Sequence, residues 1–190
     1  MNQPELIVQL QQGDQSAFKQ LVDDWEEMVY NTALGIVHDE DDADDITQEV
    51  FVQVYQSVSS FKGDSKLSTW LYRITVNRSL DHLKKMKRKR RSGFVQSLFG
   101  NREVEDAQPA EFNHPGVLME KKENAAALFK ALEKLPDKQR IAFTLHKLEG
   151  QSYQEIAGIM DTSLYAVESL MGRAKENLKK ILKDFYRDKK

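Results

Sequence analysis

Apolar residues recur at three- and four-residue spacing through almost all of this chain, and that period constrains the fold more than any other feature. Phe18, Leu21, Val22, Trp25, Val29, Ala33 and Ile36 would lie on one face of a helix that begins near Asp14 or Ser16 and ends about Val37. A second helix is expected over roughly 41–57, with Ala43, Ile46, Val50 and Val54 as its core seam and Phe51 and Tyr55 on a neighbouring stripe. Its acidic first turn suits the positive end of the helix macrodipole. Residues 59–64 form a loop around Gly63. A third helix over about 68–90 packs through Leu67, Leu71 and Ile74, then loses its apolar face after Leu83. Four Pro and nine Gly in 190 residues, with few alternating β-branched runs, favour an all-α chain.

The period fails over 92–118, SGFVQSLFGNREVEDAQPAEFNHPGVL, which holds two of the four Pro. That stretch reads as a linker. Helical spacing resumes over 120–135 through Ala125, Leu128, Phe129 and Leu132, is broken at Leu135-Pro136-Asp137, and returns over 138–148 through Ile141, Ala142, Leu145 and Leu148. Ser152-Tyr153-Gln154-Glu155 is a capping-box sequence opening a short helix with Ile156, Ala157 and Met160 inward. After the polar turn Asp161-Thr162-Ser163, a second helix starts near Leu164, with Val167, Leu170 or Met171, Ala174, Leu178 and Ile181 inward. Two short helices, a three-residue turn and a small residue at the crossing match a helix-turn-helix, and an ordinary helical hairpin is the alternative. Arg173, Lys175, Lys179 and Lys180 further along favour the DNA-binding form, because a helix in a groove needs phosphate neutralisation. The expected fold is two small helical domains joined by a flexible linker: 1–91, the linker 92–118, and 119–190 with the helix-turn-helix.

A net charge of −2 conceals a separation along the chain. Residues 1–60 carry Lys19 as their one basic residue against thirteen acids, whereas 61–91 carry eleven basic residues against Asp64 and Asp81. Charge divided in this way points to different partners for different faces. The run 84–91 alone would be a solvated helix end. Here it follows Phe61, Lys66, Trp70, Tyr72, Arg73, Asn77 and Arg78, an interleaving of aromatic and basic groups that can stack unpaired bases and track a backbone. Trp70 falls on the Leu67/Leu71/Ile74 spacing and is assigned to the core, which leaves Tyr72 and Asn77 as the better contact candidates; Asn can read a base edge.

The acids at 39–45 fail the EF-hand pattern, since Asp44 stands where Gly is required and Val50 where a bidentate Glu should be. His38, His82, His114 and His146 show no ligand spacing to one another. Residues 39–42 read equally as a solvated helix start, while Asp45, Gln48, Glu49 and Phe51 suggest a docking face. No cofactor, metal or catalytic residue is expected. Zero cysteines, no apolar stretch of membrane-spanning length and no signal-peptide pattern at the N-terminus fit a cytoplasmic protein.

The segments D-I-x-Q-E-x-F and S-T-W-L-Y-R-I-x-x-N, followed by LPDKQR and YQEIA, resemble an extracytoplasmic-function (group IV) sigma factor of bacterial RNA polymerase over nearly the whole chain except 92–118. The resemblance implies a non-enzymatic protein that binds core polymerase and promoter DNA, assists promoter melting and is sequestered by an anti-sigma factor, often membrane-bound. It assigns Asp45, Gln48, Glu49 and Phe51 to the polymerase clamp. Phe61, Lys62, Lys66, Asn77, Arg78, Lys84 and Lys85 go to the −10 element, and Tyr165, Glu168, Ser169, Arg173 and Lys175 to the −35 element. Glu168 and Leu170 depart from the basic residues frequent there, and a carboxylate in the groove can accept from a cytosine amino group. Two other readings remain open from the residues alone: a stand-alone helix-turn-helix regulator, and a metal-dependent phosphohydrolase using the acids at 39–49.

Overall fold

The computed structural model describes residues 3–99 and 122–187, with side chains described for 4–89 and 127–183. The helices are α1 (Gln3–Gln11), α2 (Gln15–Val37), α3 (Glu40–Ser57), a 3-10 turn (Val58–Ser60), α4 (Leu67–Phe99), α5 (Lys122–Glu133), α6 (Asp137–Lys147), α7 (Tyr153–Ile159) and α8 (Leu164–Arg187). Among the described residues there is no strand.

Local chemistry sets the boundaries of these helices. Asp14 caps α2 by accepting from the Ala17 N–H at 2.8 Å, and Asp39 caps α3 by accepting from Asp42 N–H at 2.9 Å. Between α2 and α3, His38 takes the left-handed conformation, φ 62°. Ser152 and Glu155 complete the expected capping box, with Ser152 N–H donating to Glu155 Oε2 at 3.0 Å and Glu155 N–H to Ser152 Oγ at 3.3 Å. Pro136 stands at the N-cap of α6, where its missing N–H costs nothing.

Two elements differ from the sequence expectation. The short α1 has no counterpart there; its Leu6 and Leu10 are too few to raise a period above the polar residues around them, yet both are buried. Helix α4 runs through 92–99, into the stretch read as linker, and residues 100–121 lie outside the described part.

One core cluster joins α1, α2, α3 and the start of α4 through Leu21, Val29, Ile46, Val50, Val54, Leu67 and Leu71. A third cluster holds α5 to α8 through Phe129, Leu132, Leu135, Ala174 and Leu178. The second joins the two units: Ile36, Tyr72 and Val76 of the first pack with Ile141, Leu145, Ile156, Val167 and Met171 of the second. Helix α4 thus has two buried seams, one through Leu67, Leu71 and Ile74, the other through Tyr72 and Val76. Polar contacts frame the shared seam. Thr144 Oγ1 donates to Gly35 O at 2.9 Å, Arg73 Nη2 to Gly158 O at 2.6 Å, and Lys87 Nζ to both Asp137 oxygens at 2.7 and 2.8 Å.

Candidate docking and nucleic-acid interfaces

Helix α3 turns its apolar side to the first cluster and leaves Asp45, Gln48 and Glu49 exposed. With Val52 and Arg78 these three line an open groove of about 470 Å³. Arg78 Nε donates to Gln53 Oε1 at 2.6 Å, and its Nη1 lies 3.8 Å from Glu49 Oε2, so one guanidinium faces two side chains of α3. Arg78, expected among the −10 residues, stands at the wall of the acidic groove. Val52, 56% exposed, adds an apolar spot to that groove which sequence reasoning missed; its only signal was a position four residues after Gln48 and off the core seam. The acids at the start of α3 also act on α2. Tyr30 is held above its ordinary range by burial first, then by Glu40, Asp44 and Asp41.

Phe51 corrects an expectation. It is 8% exposed and sits in the first core cluster, so it supports the groove from beneath and does not form its surface. Its i+4 relation to Thr47 and its adjacency to Val50 turn it inward, on a helix flanked by both α2 and α4.

The loop at 61–66 enters on another buried ring. Phe61 is 7% exposed and packs on Trp70 with centroids 4.9 Å apart, so its side chain is a foundation and not a contact surface. Lys62 and Lys66 are exposed around Gly63, whose φ of 76° suits a residue without a Cβ. Tyr72, expected on the surface, is 6% exposed in the seam between the units. Exposed Asn77 lies about 15 Å along α4 from Leu67, and exposed Lys84 about 10 Å beyond it. Lys66, Arg73, Asn77, Lys84 and Arg88 recur at spacings of seven, four, seven and four, which puts them on one stripe. The second unit covers part of that stripe: Arg73 reaches Gly158 O, and Lys66 Nζ is 3.6 Å from Glu155 Oε1. Exposed Lys85 lies beside the stripe, and Lys84 also contacts Asp81 at 3.0 Å.

In the helix-turn-helix, Asp161 adopts φ 49° and Thr162 N–H donates to Ala157 O at 2.9 Å, closing the turn. Ser163 Oγ accepts from Ala166 N–H at 3.2 Å and starts α8. Val167, Met171, Ala174 and Leu178 are buried. The opposite side of α8 presents Tyr165, 80% exposed, with exposed Glu168, Arg173 and Lys175 and half-buried Ser169. Leu170 is half-buried against the second cluster, which accounts for an apolar residue at that position. Among the described residues, no group of three or more His, Asp or Glu is placed to hold a metal ion, and no helix is long and apolar enough to cross a membrane.

Residues 21–90 match the Sigma-70 region 2 family and 125–178 match Sigma-70, region 4. The chain is 36% identical over 171 residues to the ECF RNA polymerase sigma-E factor of Escherichia coli, covering 90% of this chain and 89% of that one. It is 32% identical to the RNA polymerase sigma-H factor of Pseudomonas aeruginosa, covering 97% and 95%. Among solved structures it resembles CnrH in complex with the cytosolic domain of CnrY, with 26% identity, TM-score 0.66, and 94% and 96% of the chains covered. It also resembles the sigma factor RpoE in complex with the anti-sigma factor NepR from Bartonella quintana, with 26% identity, TM-score 0.61, and 87% and 96% covered. With both helical units matched and relatives spanning nearly its whole length, the chain belongs to the extracytoplasmic-function sigma factors of the sigma-70 family.

Proposed function

We propose that this chain directs core RNA polymerase to specific promoters, assists in melting them, and is held in check by an anti-sigma factor. The observation that carries the reading is the separation of two exposed faces on the α3–α4 pair. Asp45, Gln48 and Glu49 present acid and amide in an open groove, while Asn77, Lys84 and Lys85 present donors along α4, with Lys66 just before its first residue. In this reading the groove docks a basic protein surface, with Val52 and Arg78 at its wall. The loop 61–66 and Asn77 receive an unpaired −10 base, and Lys84 and Lys85 neutralise backbone phosphate. Tyr165, Glu168, Ser169, Arg173 and Lys175 meet the −35 element from the open side of α8, which has the geometry of a recognition helix. Phe51 and Phe61 act from within the core, as supports.

The units divide as 1–91 and 119–190, with 92–118 between them. The protein works in the cytoplasm and catalyses nothing itself; the polymerase makes the RNA. Anti-sigma control is supported by the two solved relatives, one a sigma factor bound to an anti-sigma factor and the other CnrH bound to the cytosolic domain of CnrY.

Gel filtration of the purified chain with bacterial core polymerase, followed by selection of promoters from a random pool with the reconstituted holoenzyme, tests the reading. Co-elution and a two-element consensus are expected. Duplex binding by the chain alone, with no shift of core, would instead identify a stand-alone regulator.

A further inference from the structure

Helix α1 lies outside the residues matched by the region 2 family, 21–90, and yet it packs against the part of the first unit that leads into the 61–66 loop. Leu6, 5% exposed, and Leu10, 3% exposed, belong to the same cluster as Val58 and Phe61. The helix contacts both α2 and the 3-10 turn Val58–Ser60. At its last residue, Gln11 Nε2 donates to the carbonyl of Phe61 at 2.8 Å, a bond between residues 50 apart. A carbonyl only accepts, so the amide nitrogen must be the atom that faces it.

The end of α1 is itself fixed. Gln12 N–H donates to Val8 O, Asp14 N–H donates to Gln9 O, and Gly13 at φ 78° turns the chain into α2, which Asp14 caps. Gln11 is therefore a donor mounted on a rigid corner. Phe61 is held on three sides: its N–H donates to Val58 O at 3.1 Å, its ring packs at a tilt against Trp70, and its carbonyl accepts from Gln11. At the exit of the loop, Lys66 O accepts from Trp70 N–H at 3.2 Å. Residues 62–65 are exposed between these two anchors.

We propose that Gln11 is a positioning residue for the 61–66 loop, fixing the Phe61 peptide so that the loop presents one geometry to an unpaired promoter base. The proposal rests on the reading of that loop as the −10 reader. A loop four residues long between fixed ends has few conformations. Releasing the Phe61 carbonyl lets the following peptide rotate, and selectivity among bases falls because a base-sized pocket depends on sub-ångström placement. The acidic groove is formed by α3 and Arg78 and does not depend on Gln11. Polymerase docking should therefore be indifferent to it.

The test uses holoenzyme reconstituted with the full chain. Wild type, Gln11→Met (similar length, no donor), Gln11→Glu (an acceptor facing an acceptor) and Gln11→Lys (donor kept) are each given a promoter pool randomised across both elements, and the selected DNA is sequenced. Expected is a −10 base preference in the wild-type and Gln11→Lys holoenzymes that falls roughly two- to tenfold in Gln11→Met and further in Gln11→Glu, the loss typical of one hydrogen bond. The −35 preference and core affinity stay at wild-type values. An unchanged −10 preference in Gln11→Met and Gln11→Glu would overturn the proposal. So would an equal loss at both elements, which would mark Gln11 as general scaffold. A wild-type holoenzyme with a −35 preference but none at −10 would remove the reading of the loop itself, a different and recognisable failure.

Discussion

Tyr72 donates its hydroxyl to Glu149 Oε2 at 3.3 Å while accepting from Gln151 Nε2 at 3.2 Å, which ties α4 of the first unit to the turn before the helix-turn-helix of the second. Burial raises the tyrosine hydroxyl above its ordinary range, and the neighbouring Glu149 charge adds to the effect. Burial also raises the Glu149 carboxyl above its ordinary 4.5, against the opposing pull of hydrogen bonds from Tyr72 and Thr32. The seam between the units therefore contains a carboxyl that is more easily accommodated when protonated.

That arrangement makes stability depend on pH in a defined direction. A carboxyl whose folded pKa exceeds its unfolded value contributes fully below about 4.5 and loses that contribution as pH rises through the folded value. Glu149→Gln keeps an oxygen for Tyr72 and removes the titration. The variant should melt above wild type at neutral pH, with the difference shrinking as pH falls toward 4.5. Paired thermal scans from acid to neutral pH measure it, and a difference that grew toward acid would reverse the assignment.

Val76 is 3% exposed in the shared seam, so a charge placed there has no partner. Val76→Glu should separate the units before it unfolds them, because the first and third clusters lie wholly within one unit each. The radius of gyration by X-ray scattering should rise above the roughly 16 Å of a compact chain of this length. Helical circular dichroism should be nearly unchanged. An unaltered radius with a simple fall in melting temperature would show that the seam is not the weaker boundary.

Phe51 and its neighbours on α3 should separate cleanly by phenotype. Phe51→Ala removes a buried ring and should cost about 3–5 kcal/mol of stability. Gln48→Ala with Glu49→Ala touches only exposed side chains, should leave the melting temperature within about 2 °C, and should weaken binding to core polymerase. Calorimetric melting and a polymerase titration on both variants would expose any exchange of roles.

Arg173 and Leu170 provide the corresponding contrast on α8. Arg173→Ala, at an exposed position, should reduce −35-dependent transcription by about 1–3 kcal/mol if its contact with a base is bidentate, with no change in fold. Leu170→Ala should lower the melting temperature instead, since that side chain packs on the second cluster, which the two units share. In vitro transcription with and without a −35 element distinguishes the two.

Much of this molecule was legible in its residues. The period placed α2 and α3 within a residue of their ends, and the capping box and three-residue turn located the helix-turn-helix. The differences share a cause. Phe51 and Tyr72 lie off the main apolar seams of their own helices and Phe61 lies in a loop without one, so spacing alone leaves all three at the surface, and packing against other elements buries them. Arg78 stands among basic neighbours in sequence, whereas its partners Gln53 and Glu49 belong to a helix that begins 38 residues earlier, at Glu40.

Spacing and charge along the chain by themselves determined an all-α fold, two helical units, an acidic helix followed by a basic one and a helix-turn-helix near the C-terminus, because each is a property of local periodicity or local composition. Tertiary structure alone decided which aromatic rings are foundations, where Arg78 goes, that α1 grips the 61–66 loop through Gln11, and that the two units share a core. Those facts depend on which second face a helix buries, and a second face is defined only by the neighbour that arrives to cover it.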